Sequence, residues 1–192
     1  MKNLQVRIKT DLTTEPVTAT EAKLFCKVSG TAEDDLFTIL IKSARQAMEE
    51  YTQSSFAEKT IHAFWLTMPE DYLFELPYGP VISVDKVYWI DEEGTEEEAT
   101  LNSDYWVYGD QDAVVKLSTY WTSGLKTTNS VRIEYKAGYG HANTETLPAA
   151  LKHAILKQIA TDYEMREDIG QGGVLTNASK KLASPYRKKL WF

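Results

Sequence analysis

ELPYGPVISVDKVYWIDEEG (75–94), followed further on by SVRIEYKAGYG (130–140), reads as extended chain: β-branched and aromatic residues alternate, with Pro, Gly and acidic turns as punctuation. Within it Val81 to Ile90 is the longest run, and Asp91-Glu92-Glu93-Gly94 reads as a hairpin tip. Working outward, Ile61, Ala63 and Trp65 oppose His62, Phe64 and Leu66, so a strand from Thr60 carries bulk on both faces. Further strands are expected at Ala99 to Leu101, Tyr105 to Tyr108, Ala113 to Leu117 and Val131 to Lys136. That spacing implies an antiparallel meander over about 60–137. Leu4, Val6 and Ile8 alternate as a short strand would.

Helical periodicity brackets this region. Thr18 and Glu21 have the spacing of a capping box, which opens a helix over about 18–28 that Gly30 ends. Leu36, Leu40, Ala44, Met48 and Tyr51 make a stripe over about 33–51, backed by Phe37 and Ala47, with Glu33, Asp34 and Asp35 at the end where the helix dipole favours anions. After Gly138-Tyr139-Gly140, Pro148 opens a helix over about 148–167. There Leu151, Ile155, Ile159 and Tyr163 recur every fourth residue and should pack against the second helix. Gly170, Gly172 and Gly173 break it, and Ser184-Pro185 is placed to start a last short helix through Lys189. The expected fold is α+β: mainly a helical bundle with an inserted antiparallel β-domain and a basic C-terminal tail. The corresponding divisions are 1–59 with 138–170, 60–137, and 171–192.

At 192 residues, 43% hydrophobic and 26% charged, the chain has an ordinary globular composition and buries a core without staples. Its single cysteine, Cys26, lies beside Leu24, Phe25 and Val28 and reads as a small core residue. With one cysteine there is no intrachain disulfide. With no apolar run of signal-peptide or spanning length either, folding in a reducing cytosol is the expectation. The net charge of −7 argues against binding nucleic acid by phosphate neutralisation. Residues 171–192 hold five basic residues and no acid, so the remainder, with 28 acids against 16 bases, is −12. A solvated terminus and a docking segment for an acidic partner both fit that break.

Catalytic patterns are missing. His62, His141 and His153 are scattered, and there is no H-E-x-x-H, C-x-x-C or G-x-S-x-G. Gly170-Gln171-Gly172-Gly173 lacks the strand and the Lys-Ser/Thr of a phosphate loop and reads as a hinge. DEEGTEEE (91–98) has six carboxylates without calcium-loop spacing. Neither an enzyme nor a bound cofactor is expected. Trp65, Trp89, Trp106 and Trp121, with Tyr72, Tyr88, Tyr105, Tyr108 and Tyr120, offer an alternative: a carbohydrate- or nucleobase-stacking platform. Strand alternation also accounts for them as core or subunit interface.

EPVTATEAK (15–23), DDLFTILIKSARQAMEEYT (34–52), ELPYGPVISVDKVYW (75–89) with its acidic Gly turn, YKAGYG (135–140) and LPAALKHAILKQIATDYEMRE (147–167) together resemble the phage head–tail connector family of head-completion adaptors. In order and spacing they span almost the whole chain. The resemblance implies a structural virion protein, made in the host cytoplasm. It would form a closed ring, usually dodecameric, under the portal, extend the DNA channel and present a surface to the next neck or stopper protein. Packaged double-stranded DNA would pass without sequence-specific binding, and no membrane is involved. Joined to that role, three groups of residues become candidate sites. The basic tail, through Lys180, Lys181, Arg187, Lys188, Lys189, Trp191 and Phe192, would dock on the portal. Tyr88 and Trp89 would meet neighbouring subunits. Asp91, Glu92, Glu93, Glu96, Glu97 and Glu98 would face the channel and repel DNA.

Overall fold

The computed structural model describes residues 4–11, 14–118, 125–128, 130–140, 146–165 and 175–188. The capping box forms as read: Thr18 Oγ1 accepts from Glu21 N–H at 3.2 Å, and Glu21 Oε2 accepts from Thr18 N–H at 2.9 Å. It starts α1 (Ala19–Phe25), which stops short of Val28 because the backbone turns left-handed at Lys27 (φ 57°). α2 (Asp34–Thr52) follows, its first turn held to α1 by Lys23, whose Nζ lies 2.5 Å from Asp34 Oδ1. It ends on a left-handed Gln53.

The buried face of α2 shares Phe37, Ala44 and Met48 with the stripe that periodicity selects but is turned towards one side of it. Phe37, Ile41, Ala44, Arg45, Met48, Glu49 and Thr52 are buried, whereas Leu36, Leu40 and Tyr51 are half-buried. The helix is rotated so that two charged residues face inward, and their partners are described below. α3 (Ala149–Glu164) buries Leu151, Ile155 and Ile159 against α2, as periodicity requires. Pro148 stands at its N-cap, one position before the first helical residue. The Tyr163 ring stacks on Phe37 at 5.1 Å, and its hydroxyl donates to Glu33.

A fourth helix, α4 (Asn177–Ala183), lies where the sequence suggested a tail. Thr176 Oγ1 caps it by accepting from Ser179 N–H, Gln158 Oε1 on α3 accepts from Thr176 N–H, and Ala183 is buried in the helical core. A single 3-10 turn, Ser184–Tyr186, follows, in place of a helix reaching Lys189. The glycine break at 170–173 lies outside the described residues.

The strands form two antiparallel sheets. They are β1 (Leu4–Thr10), β2 (Lys59–Trp65), β3 (Leu73–Glu75), β4 (Val81–Ile90), β5 (Glu96–Glu98), β6 (Tyr105–Tyr108), β7 (Val114–Leu117) and β8 (Val131–Ala137). The orders are β1-β2-β8-β4-β5 and β3-β7-β6. Pairing is antiparallel throughout but is not a simple meander, since β8 inserts between β2 and β4. Ile61, Ala63, Trp65, Val87, Trp89, Ile133 and Tyr135 face Phe74, Leu76, Tyr105, Val115 and Leu117 to make a sandwich core. The β5 strand sits at 96–98 where 99–101 was expected, and Leu101 instead makes an isolated bridge to Tyr105.

The α+β class holds, but the expected "mainly helical bundle" does not: strands occupy nearly as many described residues as helices, and they bury a core of their own. Two strands account for the imbalance. β1 pairs along β2 from Leu4 opposite Trp65, so the sheet begins before the first helix. β3, three residues beside β7, is too short to show a period.

Candidate functional site

Helices and sheets meet at a buried ion cluster. Arg45, on α2, is 1% exposed, and its guanidinium donates to Glu49 Oε2 (2.7 Å), Glu15 Oε2 (2.8 Å) and Asp11 Oδ2 (3.3 Å). Lys59 at the start of β2 donates to Glu49 Oε2 at 2.5 Å and lies 3.6 Å from Asp11 Oδ1. Glu49 Oε1 also accepts from Phe56 N–H at 2.8 Å. Three carboxylates thus enclose two buried cations, each contact charge-assisted. The neighbouring carboxylates hold the guanidinium pKa above its ordinary value against the opposing effect of burial. Sequence reasoning missed this cluster. The one available signal was the i,i+4 spacing of Arg45 and Glu49 beside the apolar Ala44 and Met48 on α2.

The acidic hairpin forms where it was read, with β5 pairing β4 and Asp91 to Gly94 as its turn. Its carboxylates are partly engaged: Glu98 accepts from Lys86 at 2.8 Å, Glu96 pairs with Arg132, and Glu97 Oε2 accepts from the Trp89 indole at 3.2 Å. Glu92 and Glu93 are exposed at the tip, and Asp91 Oδ1 accepts from Thr95 N–H. Tyr88 and Trp89 lie on opposite faces of β4. Trp89 is buried in the sandwich core, while Tyr88 is half-buried with the Arg132 guanidinium 4.0 Å over its ring.

Of the basic residues at the C-terminus, Lys188 is committed within the chain. Its N–H donates to Thr52 O, and its Nζ donates to Leu76 O and pairs with Asp112 at 2.9 Å. Arg187 is exposed, 5.4 Å over the Tyr51 ring; Lys181 is exposed and Lys180 half-buried on α4. Lys189, Trp191 and Phe192 lie outside the described residues. The aromatic residues do not converge on one exposed face, because Trp65, Trp89 and Tyr105 are buried in the core. Trp121 and Tyr120 lie outside the described residues, as does His141.

Among the described residues no group of His, Cys, Asp and Glu could hold a metal ion, and no helix is long and apolar enough to cross a membrane. His62 Nε2 lies 3.3 Å from Glu134, and burial lowers its pKa. Cys26 is half-buried at the edge of the helical core, with its thiol pKa raised by burial.

One surface pair predicts an acid-side effect. The Lys152 ammonium donates to Glu21 Oε1 at 2.6 Å and, with the Thr18 N–H, holds the Glu21 carboxyl at about 2, below its ordinary 4.5. A depressed carboxylate contributes stability that is complete above about 4.5 and is lost as pH falls through about 2. Lys152→Gln should raise the Glu21 pKa towards its ordinary value and flatten the stability loss in that window. Side-chain carboxyl NMR titration reads this directly, and an unmoved Glu21 would exclude Lys152 as the main cause.

Comparison with curated proteins finds no match. The fold matches three solved structures over 98% of this chain and 97% of each of theirs. "Neck of empty GTA particle computed with C6 symmetry" has a TM-score of 0.72 at 20% identity. "Virion of native gene transfer agent (GTA) particle" has 0.71 at 19%, and "Neck of native GTA particle computed with C12 symmetry" has 0.65 at 22%. At these identities the likeness is one of fold. Residues 17–105, from just before α1 through the acidic hairpin to the first residue of β6, match the family of phage gp6-like head-tail connector proteins, so that this segment is similar to that family.

Proposed function

We propose that this chain is a structural protein of the phage neck that forms a ring under the portal, continues the DNA channel and lets the head be completed and the tail attach. The family match over residues 17–105 carries the reading, because it covers the two first helices, the ion cluster's Arg45, Glu49 and Lys59, and the strands β2 to β5. The neighbouring folds come from particles whose necks were computed with C6 and C12 symmetry, which supports a ring. Such a role needs shape and contact surfaces rather than turnover, and a closed head-to-tail ring needs two different patches per copy.

In this reading the β unit (60–137) stands between the helical segments 1–59 and 138–170, and segment 171–192 faces the portal through Lys180, Lys181 and Arg187. The hairpin tip at Glu92 and Glu93 lines the bore. At a Debye length of about 8 Å its carboxylates act only on DNA close to the wall. Tyr88 is a partly accessible aromatic on the sheet face available to a neighbour. Co-purification with the portal protein of the same genome, followed by negative-stain microscopy, tests the proposal. A ring on the portal is expected for the intact chain, and Lys181→Glu with Arg187→Glu should weaken the complex while leaving the fold intact. Failure of the intact chain to bind the portal, or reproducible substrate conversion by it, would refute the proposal.

A further inference from the structure

We infer that neighbouring copies join through the two opposite edges of the five-stranded sheet, β1 of one copy lying beside β5 of the next. This rests on the ring reading above and deepens it by assigning the surfaces. The strand order leaves β1 and β5 at the two ends. Two ends of one sheet are by construction different patches on opposite sides of the protomer, as a head-to-tail contact demands.

Charge decides the match. On the face of this sheet turned away from the sandwich core, Arg7 and Lys9 stand on β1, both exposed. Lys9 lies 3.9 Å from Glu134 on β8, and Lys86 on β4 stands opposite Glu134 in the ladder and pairs with Glu98 on β5. The alternation of sign that runs across the sheet therefore begins with exposed cations at one edge and ends with the half-exposed carboxylates Glu96 and Glu98 at the other. Setting β1 of a second copy beside β5 continues it without placing like charges together. β1 with β1, or β5 with β5, would oppose charges of one sign, a destabilising arrangement.

Direction agrees as well. Four successive antiparallel pairings leave β1 and β5 running the same way, so copies related by rotation about an axis along the strands meet as a parallel pair. With only three residues in β5, the joint spans about 10 Å and draws its selectivity from charge. The row of glutamates at an open edge also discourages pairing with unrelated strands.

Charge-swap variants test the inference in assembled particles, with the amount of this chain per particle as readout. Arg7→Glu with Lys9→Glu, and separately Glu96→Lys with Glu98→Lys, should each lower incorporation about tenfold, the size of two cross-strand charge pairs per joint. Co-expressing the two double variants, or combining all four substitutions in one chain, should restore it. Full incorporation of either double variant alone, or no restoration on combination, overturns the inference.

Because the Glu96 and Glu98 changes disturb Arg132 and Lys86, a second test keeps the Glu96 pair with Arg132 and reads proximity in place of charge. In a Cys26→Ser background, Lys9→Cys with Glu98→Cys should give an oxidised ladder beyond dimer from isolated particles, and either cysteine alone no ladder. Absence of a ladder from particles in which the unsubstituted chain forms rings overturns the edge assignment alone. An unsubstituted chain that forms no ring overturns the neck reading and this inference together.

Discussion

Glu49→Ala should remove about 3–5 kcal/mol of folding stability, the range for breaking a buried ion pair by deleting one partner. Arg45 and Lys59 are both almost completely buried and both donate to Glu49 Oε2. Deletion leaves Lys59 with only Asp11 at 3.6 Å, and Phe56 N–H without its acceptor. The partners come from four places in the chain: the end of β1, the approach to α1, α2 and the start of β2. The loss should therefore appear as loosening of the helices from the sheet as well as lower stability. Urea unfolding followed by far-ultraviolet and tryptophan signals measures it, and a loss under about 1 kcal/mol would contradict a closed cluster. Replacing Arg45, Glu49 and Lys59 together with Met, Leu and Met should cost far less than Glu49→Ala. Apolar packing in place of buried charges is often neutral, and the carboxylates left behind, Asp11 and Glu15, have side chains 38% and 31% exposed to water.

Gly138→Ala should cost at least about 3 kcal/mol, at or beyond the top of the overpacking range. A Cβ at this position would sit 2.2 Å from Ala57 C and O, both main-chain atoms, and φ is +149°. The Gly138 N–H donates to Pro80 O at 2.8 Å, so the backbone cannot withdraw without breaking the join between β8 and the strand entering β4. Gly94→Ala is the matched control. Its φ is +87°, but a Cβ there meets nothing within 4 Å, so only the conformational cost of about 1–2 kcal/mol applies. Equal losses at the two positions in urea unfolding would refute the close-approach argument.

Much of this architecture was legible where a local rule acts alone. The Thr18–Glu21 capping box, the four-residue period of Leu151, Ile155 and Ile159, and the β-branched run from Val81 to Ile90 each reappear in the fold. What was not legible depends on distant partners. The α2 stripe read from apolar residues alone is rotated because Arg45 and Glu49 find Glu15, Asp11 and Lys59, and no helical period encodes those partners. Likewise β3 and α4 are too short for periodicity, and α4, beyond its local Thr176 cap, is held by Gln158 on α3 and the buried Ala183.

The same division holds for the candidate surfaces. The hairpin at 91–98 was readable from DEEGTEEE, but the ties of Glu96 and Glu98 to Arg132 and Lys86 depend on cross-strand register. Trp89 could not be separated from Tyr88 until the face of β4 that meets the second sheet was known. Net charge likewise could not show that Lys188 is taken up by Thr52, Leu76 and Asp112 of its own chain.

Electron cryo-microscopy of the neck of particles that carry this chain tests the account most directly. The account predicts a closed ring of copies between the portal and the next neck protein, with the sandwich and the four helices fitting the density without rearrangement. Particles that complete their heads and attach tails with no copy of the chain in the neck would contradict it.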